Sequence, residues 1–223
     1  MNERGMIFNG EMVRAILDGR KTQTRRIMKV QPGAPEFGLR RIIESSRANE
    51  NGMYFWSQYD ASGIKARSKL FSCPHGDVGD RIWVRETWAE AGASAPELKL
   101  YRANYPDHVP SHYENVPPVG EIRWTPSIHM PRWASRITLE ITDVRVERLH
   151  NISERDALRE GLFQLPASGR YCLQPGMQYF GMASHSAKEV YSWLWASIYG
   201  EEFWAANPWV WVIEFKRVEG GAA

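Results

Sequence analysis

Arg136-Ile137-Thr138-Leu139-Glu140-Ile141-Thr142-Asp143-Val144-Arg145-Val146-Glu147-Arg148-Leu149 alternates apolar with polar side chains along its whole length. A period of two buries one face of a pleated strand, so this stretch predicts a long strand, with a bend or bulge near Asp143. The period then changes. In Asn151-Ile152-Ser153-Glu154-Arg155-Asp156-Ala157-Leu158-Arg159-Glu160-Gly161-Leu162, Ser153 fits an N-cap, Asp156 is an acidic residue three places on, and Gly161 fits a C-terminal stop. The predicted helix therefore closes on Glu160. The negative end of a helix dipole disfavours an ionised carboxylate, so Glu160 calls for a cationic partner or a part in proton transfer; an exposed glutamate is the plain alternative.

Toward the N-terminus, Met6, Ile7, Met12, Val13, Ile16 and Leu17 recur at roughly helical spacing, and Asp18-Gly19 offers the left-handed residue that commonly ends a helix. The segment Gly19-Arg20-Lys21-Thr22-Gln23-Thr24-Arg25-Arg26 starts just past that end. As a regular strand it puts Lys21, Gln23 and Arg25 on one face and Thr22, Thr24 and Arg26 on the other. A turn or bulge instead lets Lys21 and Thr24 converge on one small cavity. The alternative is a solvated basic loop touching phosphates.

Other elements are short. Strands are predicted at Gly52 to Gln58, at Ile82-Trp83-Val84 after the turn signals Gly76-Asp77 and Gly79-Asp80, at Tyr101-Arg102-Ala103, and at Trp209 to Arg217. A helix is predicted over Ala187 to Tyr199. Arg85 and Glu86 end the second of these strands. Prolines pin both ends of Pro126 to Pro131, making His129, Arg132 and Trp133 ordered candidate ligand contacts; a structural histidine is the alternative at His129. Three strong strands, three helices and long loops make an α+β domain. The tail from Glu219 to Ala223 is expected to be disordered.

Composition narrows the class. The chain has 223 residues with 28 Lys and Arg against 26 Asp and Glu, a net charge of +2, so any nucleic-acid contact must come from a local patch. Cys73 and Cys172 form no Cys-x-x-Cys pair, and Cys73 with His75 is at most half of a metal site; neither metal nor cofactor is expected. No basic leader precedes an apolar run, and no run of about 18 apolar residues occurs, which points to a cytoplasmic protein without a membrane partner. Of ten tryptophans, Trp88, Trp124 and Trp133 lie beside Arg and Glu, where a planar ligand could stack.

Gly19 to Arg26, Gly79-Asp80-Arg81-Ile82-Trp83-Val84, Ile137 to Gly161 and Val212-Ile213-Glu214-Phe215-Lys216 resemble the ASCH domain, a PUA-like β-barrel. Ile82 to Trp88 and Pro126 to Pro131 are similar to segments of its long phage- and prophage-associated members. The resemblance implies a PUA-like barrel with flanking helices, one domain over residues 1–218 with insertions at about 30–70 and 90–135. It also implies an activity found in the family, removal of an acyl group from the N4 amine of a modified cytidine. The family's Gly-Arg-Lys-Thr-x-Thr-x-Arg motif is matched by Gly19, Arg20, Lys21, Thr22, Thr24 and Arg26, and its catalytic lysine, threonine and glutamate fall on Lys21, Thr24 and Glu160. Arg20, Arg26, Arg85, Glu86, Trp88, His129, Arg132 and Trp133 are the candidate substrate contacts. Other relatives bind RNA or act as ribonucleases, so two rival expectations stand. One is a non-catalytic module that captures a modified base or RNA, with Trp88 or Trp133 stacking and Arg25, Lys29 or Arg132 on phosphate; the other is a nuclease using Lys21, Arg26, Glu160 and His129.

The chemistry is coherent by itself. A threonine hydroxyl needs a base to become a nucleophile, and a lysine can be that base only when its pKa is lowered, as Arg20, Arg25, Arg26 and burial would lower that of Lys21. Lys21 would deprotonate Thr24, Thr24 would attack the acyl carbonyl, and Glu160 would orient Lys21 or pass a proton to the leaving amine.

Overall fold

The computed structural model describes residues 1–92, 95–113 and 115–218, and the expected disorder of the tail lies outside them. In chain order the elements are β1 (Glu3–Ile7), α1 (Gly10–Leu17), β2 (Gln23–Ile27), β3 (Gly38–Arg41), β4 (Tyr54–Asp60), β5 (Gly63–Arg67), β6 (Arg81–Arg85), β7 (Trp88–Glu90), β8 (Lys99–Tyr101), β9 (Thr138–Arg148), α2 (Glu154–Arg159), β10 (Phe163–Gln164), β11 (Tyr171–Cys172), α3 (Ala187–Tyr199), α4 (Glu201–Ala205) and β12 (Trp209–Val218). The mixed α+β class is as expected.

The central sheet runs β1-β6-β9-β12-β2. β1 lies parallel to β6, and the other neighbours are antiparallel. Its long partners β9 and β12 slip register between Glu214 and Phe215, opposite Asp143 and Ile141, which is the bulge expected near Asp143. Alternation along β12 divides the interior. Trp211, Ile213 and Phe215 enter one core with Val13 and Ile16 of α1 and with Tyr54 and Trp56 of β4. Val210 and Val212 enter a second with Ala157 of α2 and Val190, Tyr191, Leu194 and Trp195 of α3. Each such large side chain taken out of water contributes roughly 1.5–3 kcal/mol.

The barrel implied by the resemblance is not closed by a backbone ladder among the described residues: β1 and β2 are the two ends of the strand order. A side chain spans the seam, with Arg26 Nη2 donating to the Ile7 carbonyl at 2.8 Å.

Three local expectations are corrected. Met6 and Ile7 belong to β1, and α1 starts only after Asn9, whose Oδ1 accepts from Met12 N–H at 2.8 Å. That cap is a start signal overridden by the apolar spacing. Tyr101-Arg102-Ala103 is not one strand, because β8 ends at Tyr101 and a 3-10 turn covers Arg102–Asn104. The insertion at about 30–70 is more than a long loop around the one strand expected there: β3, β4 and β5 form an antiparallel sheet whose Tyr54 and Trp56 complete the first core.

Candidate active site

The two ends of the site are brought together by chain turns. Past α1, Gly19 adopts φ +73°, and the Arg20 and Lys21 amides both donate to the Ala15 carbonyl at 2.9 Å. This wraps the chain over the helix end and draws Lys21 inward before β2 begins. At the other end, Ser153 Oγ accepts from Asp156 N–H at 3.1 Å, and the helix it caps finishes on Glu160. Gly161 then turns at φ +108°, and a Cβ there would lie 3.0 Å from Ala15 Cβ and 3.5 Å from Lys21 Cβ. Only glycine lets these segments meet so closely.

At the junction, Lys21 Nζ donates to Glu160 Oε2 at 2.7 Å and to the Glu160 carbonyl at 3.0 Å. Arg25 Nη1 reaches Glu160 Oε1 at 3.4 Å, while its Nη2 bonds Glu147 Oε2 at 3.1 Å and Asp156 Oδ2 at 3.2 Å. The Lys21 and Arg25 side chains are fully buried and that of Glu160 is 2% exposed. Glu160 thus has the cationic partner its position demands, and two of them. Burial pushes the Lys21 amine below its usual value; the Glu160 carboxylate pulls it back up, and Arg26 and Arg25 push it further down.

Thr24 stands apart from that network. It pairs with Ile213 across the sheet, on the face of the first core, whereas Arg25 pairs with Val212, on the face of the second. Lys21 and Thr24 thus do not converge through a bulge. Thr24, Arg25, Arg26 and Glu160 nonetheless line one cleft between α1 and α3, a void of about 10 Å³, the space of one water. β2 is an edge strand, and its bonds to β12 through Thr22 and Met28 leave the amides of the odd-numbered residues facing outward. The Arg25 N–H is therefore directed away from β12.

Beyond Glu160 the cleft adjoins a cavity of about 200 Å³ lined by Glu11, Met12, Arg14, Asp18, Arg20, Glu160, Gly161, Phe163, Gln174 and Leu194, among others. Met12, Glu160 and Leu194 line both spaces. Arg20 lies 3.7 Å over the Phe163 ring and donates to the Gly161 carbonyl at 2.6 Å. Among the described residues none of 30–70 or 90–135 lines this cavity; its outer wall is the segment from Leu162 to Pro175.

Of the candidate contacts, Arg20 and Arg26 are at these spaces and the others are not. Arg85 is spent on the carbonyls of Ser127 and Ile128. Glu86 is buried and held on both oxygens by Arg136, at 2.9 and 3.0 Å. Trp88 is buried edge-to-face against Trp133, with ring centroids 5.3 Å apart, and shows no free face to a base. Trp133 is 61% exposed but faces Lys99, not the cleft. Arg132 pairs with Glu3 at 2.7 Å, and His129 is exposed on a 3-10 turn. Arg85, Glu86, Trp88 and Arg132 instead fasten the segment between β8 and β9 to the sheet.

Sequence reasoning missed Asp156, Glu147 and Tyr191. Asp156 was read only as a helix-start residue, and the alternation of β9 gave Glu147 no special place. Buried Tyr191 lines the inner cleft, yet its spacing in α3 is that of any core residue. Arg25, offered to phosphate by one rival reading, is inaccessible. Among the described residues no cluster of three or more His, Cys, Asp or Glu could hold a metal ion, and no helix is long and apolar enough to cross a membrane. No family model matches the chain, and no curated protein or solved structure matches it either.

Proposed function

We propose that this chain is an amidohydrolase of the ASCH type, on a PUA-like scaffold, that removes the acyl group from the N4 amine of a modified cytidine. The observation that carries the reading is the buried contact of Lys21 Nζ with Glu160 Oε2 at 2.7 Å, beside a cleft that Glu160 shares with Thr24. A depressed lysine amine hydrogen-bonded to a carboxylate is a proton-holding pair, the device a hydroxyl nucleophile requires.

The base occupies the 200 Å³ cavity with its sugar at the mouth, since this space is smaller than the roughly 300–1,000 Å³ of drug-sized sites. The acyl group enters from the cavity between Met12 and Leu194, and since the cleft holds only a single water, α1 and α3 must part there to bring its carbonyl against Thr24. Thr24 gives its proton to the Lys21–Glu160 pair, through one water in the cleft, and its oxygen attacks the acyl carbon. The carbon–N4 bond then breaks, and the pair returns the proton to the departing amine. A second water hydrolyses the Thr24 ester and releases the carboxylate. The outward-facing Arg25 amide is the main-chain donor assigned to the oxyanion, a contribution typically worth about 3–4 kcal/mol.

No histidine lines either space among the described residues, which leaves the nuclease alternative without its imidazole. The test is acetate and cytidine release from N4-acetylcytidine by wild type, Thr24→Ala and Glu160→Gln. Release by wild type that falls at least 100-fold in both variants is expected. Wild-type rates in Thr24→Ala would remove the scheme, and tight binding without turnover by wild type would leave a capture module in its place.

A further inference from the structure

A second cavity, about 250 Å³, lies beside α1 and is lined by Gly10, Arg14, Glu86, Thr87, Arg102 and Ala103. Nothing in the proposed reaction uses it. Its charge is readable residue by residue. Glu86 is bridged on both oxygens by Arg136, so that pair is neutral. Arg14 and Arg102 then give the cavity its sign, which is positive. Arg14 spends one nitrogen on the Ala103 carbonyl at 2.6 Å, which fixes the guanidinium in the wall, and Arg102 is exposed at the rim. The Thr87 side chain stands between them in sequence space, at the β6–β7 joint, and its carbonyl anchors the Arg102 amide at 3.0 Å. Two guanidinium groups in a polar recess are phosphate-binding chemistry.

The first cavity is balanced instead: Glu160 is paired with Lys21 and Arg25, Asp18 with Arg20 at 2.8 Å, and Glu11 and Arg14 both line it. It offers a phosphate no surplus of positive charge. Arg14 belongs to the walls of both cavities, so they flank one side chain. Arg102 and Ala103 come from the 90–135 segment, which leaves the first cavity untouched.

We infer that the Arg14–Arg102 cavity is a phosphate subsite, and that the substrate is a cytidine carrying a phosphate, whose base enters the first cavity while the phosphate is held beyond Arg14, the side chain that borders both. This rests on the amidohydrolase reading for the identity of the base, though not for the phosphate site itself. The 90–135 segment is then a substrate-selecting addition.

Calorimetric titration of the full chain with cytidine, cytidine 5′-monophosphate, a short cytidine oligonucleotide and inorganic phosphate tests it, on wild type, Arg102→Gln and Arg102→Glu. Wild type is expected to bind the monophosphate at least tenfold more tightly than cytidine, and Arg102→Glu to remove that margin, with Arg102→Gln intermediate. Preference for the oligonucleotide over the monophosphate identifies a phosphodiester source; the reverse identifies a free nucleotide. Equal affinity of wild type for cytidine and its monophosphate, or a margin untouched by Arg102→Glu, overturns the proposal. Phosphate binding lost in Arg102→Glu, with no binding of any cytidine, keeps the subsite and rejects the cytidine reading instead.

Discussion

Lys21 and Glu160 stand 139 residues apart in sequence and 2.7 Å apart in space, with Glu160 also touched by Arg25 on its other oxygen. The pair is asymmetric: removing the acid strands the buried Lys21 amine and takes from Arg25 one of its three carboxylates, while removing the amine leaves the acid with Arg25 as partner. Breaking a buried pair costs about 3–5 kcal/mol. Urea denaturation is therefore expected to show Glu160→Gln losing more stability than Lys21→Met, with the double variant recovering part of the loss. Equal losses that simply add would contradict this coupling.

The proton-holding role sets a pH dependence. Lys21 must be neutral to accept a proton, and its amine lies below the usual 10.5, chiefly through burial and then through Arg26 and Arg25 against the pull of Glu160. The rising limb of the rate profile is expected at pH values lower than an ordinary lysine gives. Arg26→Gln takes away one depressing charge and should move that limb to higher pH. A limb that moves the other way would show that Lys21 is not the group titrating.

Gly161 is a packing requirement as much as a turn. Alanine there must adopt φ +108° and bring its Cβ to 3.0 Å from Ala15 Cβ. The left-handed conformation alone costs about 1–2 kcal/mol. Gly161→Ala should lower stability by at least that amount, read from thermal unfolding, and should lower turnover further by separating Lys21 from Glu160.

His75 makes the fold sensitive to acid. Burial first, then Arg26, Arg4 and Lys29, hold its pKa down to about 4 against the usual 6.5. The unfolded chain takes up this proton near 6.5 and the folded chain only near 4, so stability is complete above 6.5 and falls as pH drops between those values. The loss from this one residue is about 3 kcal/mol. His75→Gln should flatten that part of the stability curve; an unchanged slope would assign the acid sensitivity elsewhere.

What could be read from the sequence follows the range of the forces involved. The long strand, its bulge, α2 with its Ser153 cap, and α3 were legible because each is written in local spacing and capping chemistry. Glu160 was legible for the same reason: a carboxylate at a helix C-terminus is locally out of place. The partners of Arg25 were not, since Glu147 and Asp156 reach it only after β9, β12 and β2 have assembled. The misplaced candidates failed differently. Arg85, Glu86 and Trp88 stand close to one another in sequence and look like a motif, yet each is used to dock a distant segment, and nothing local distinguishes a side chain that holds its own protein from one that holds a ligand.

A sheet whose margins are joined by Arg26 and the Ile7 carbonyl differs from one zipped along its length. Parting it there breaks the Arg26 hydrogen bond and its contact over the Phe8 ring instead of a ladder of backbone bonds, so local opening is expected to start along this line. Arg26 also borders the cleft, so the side chain that ties the sheet's margins together is a residue of the site itself.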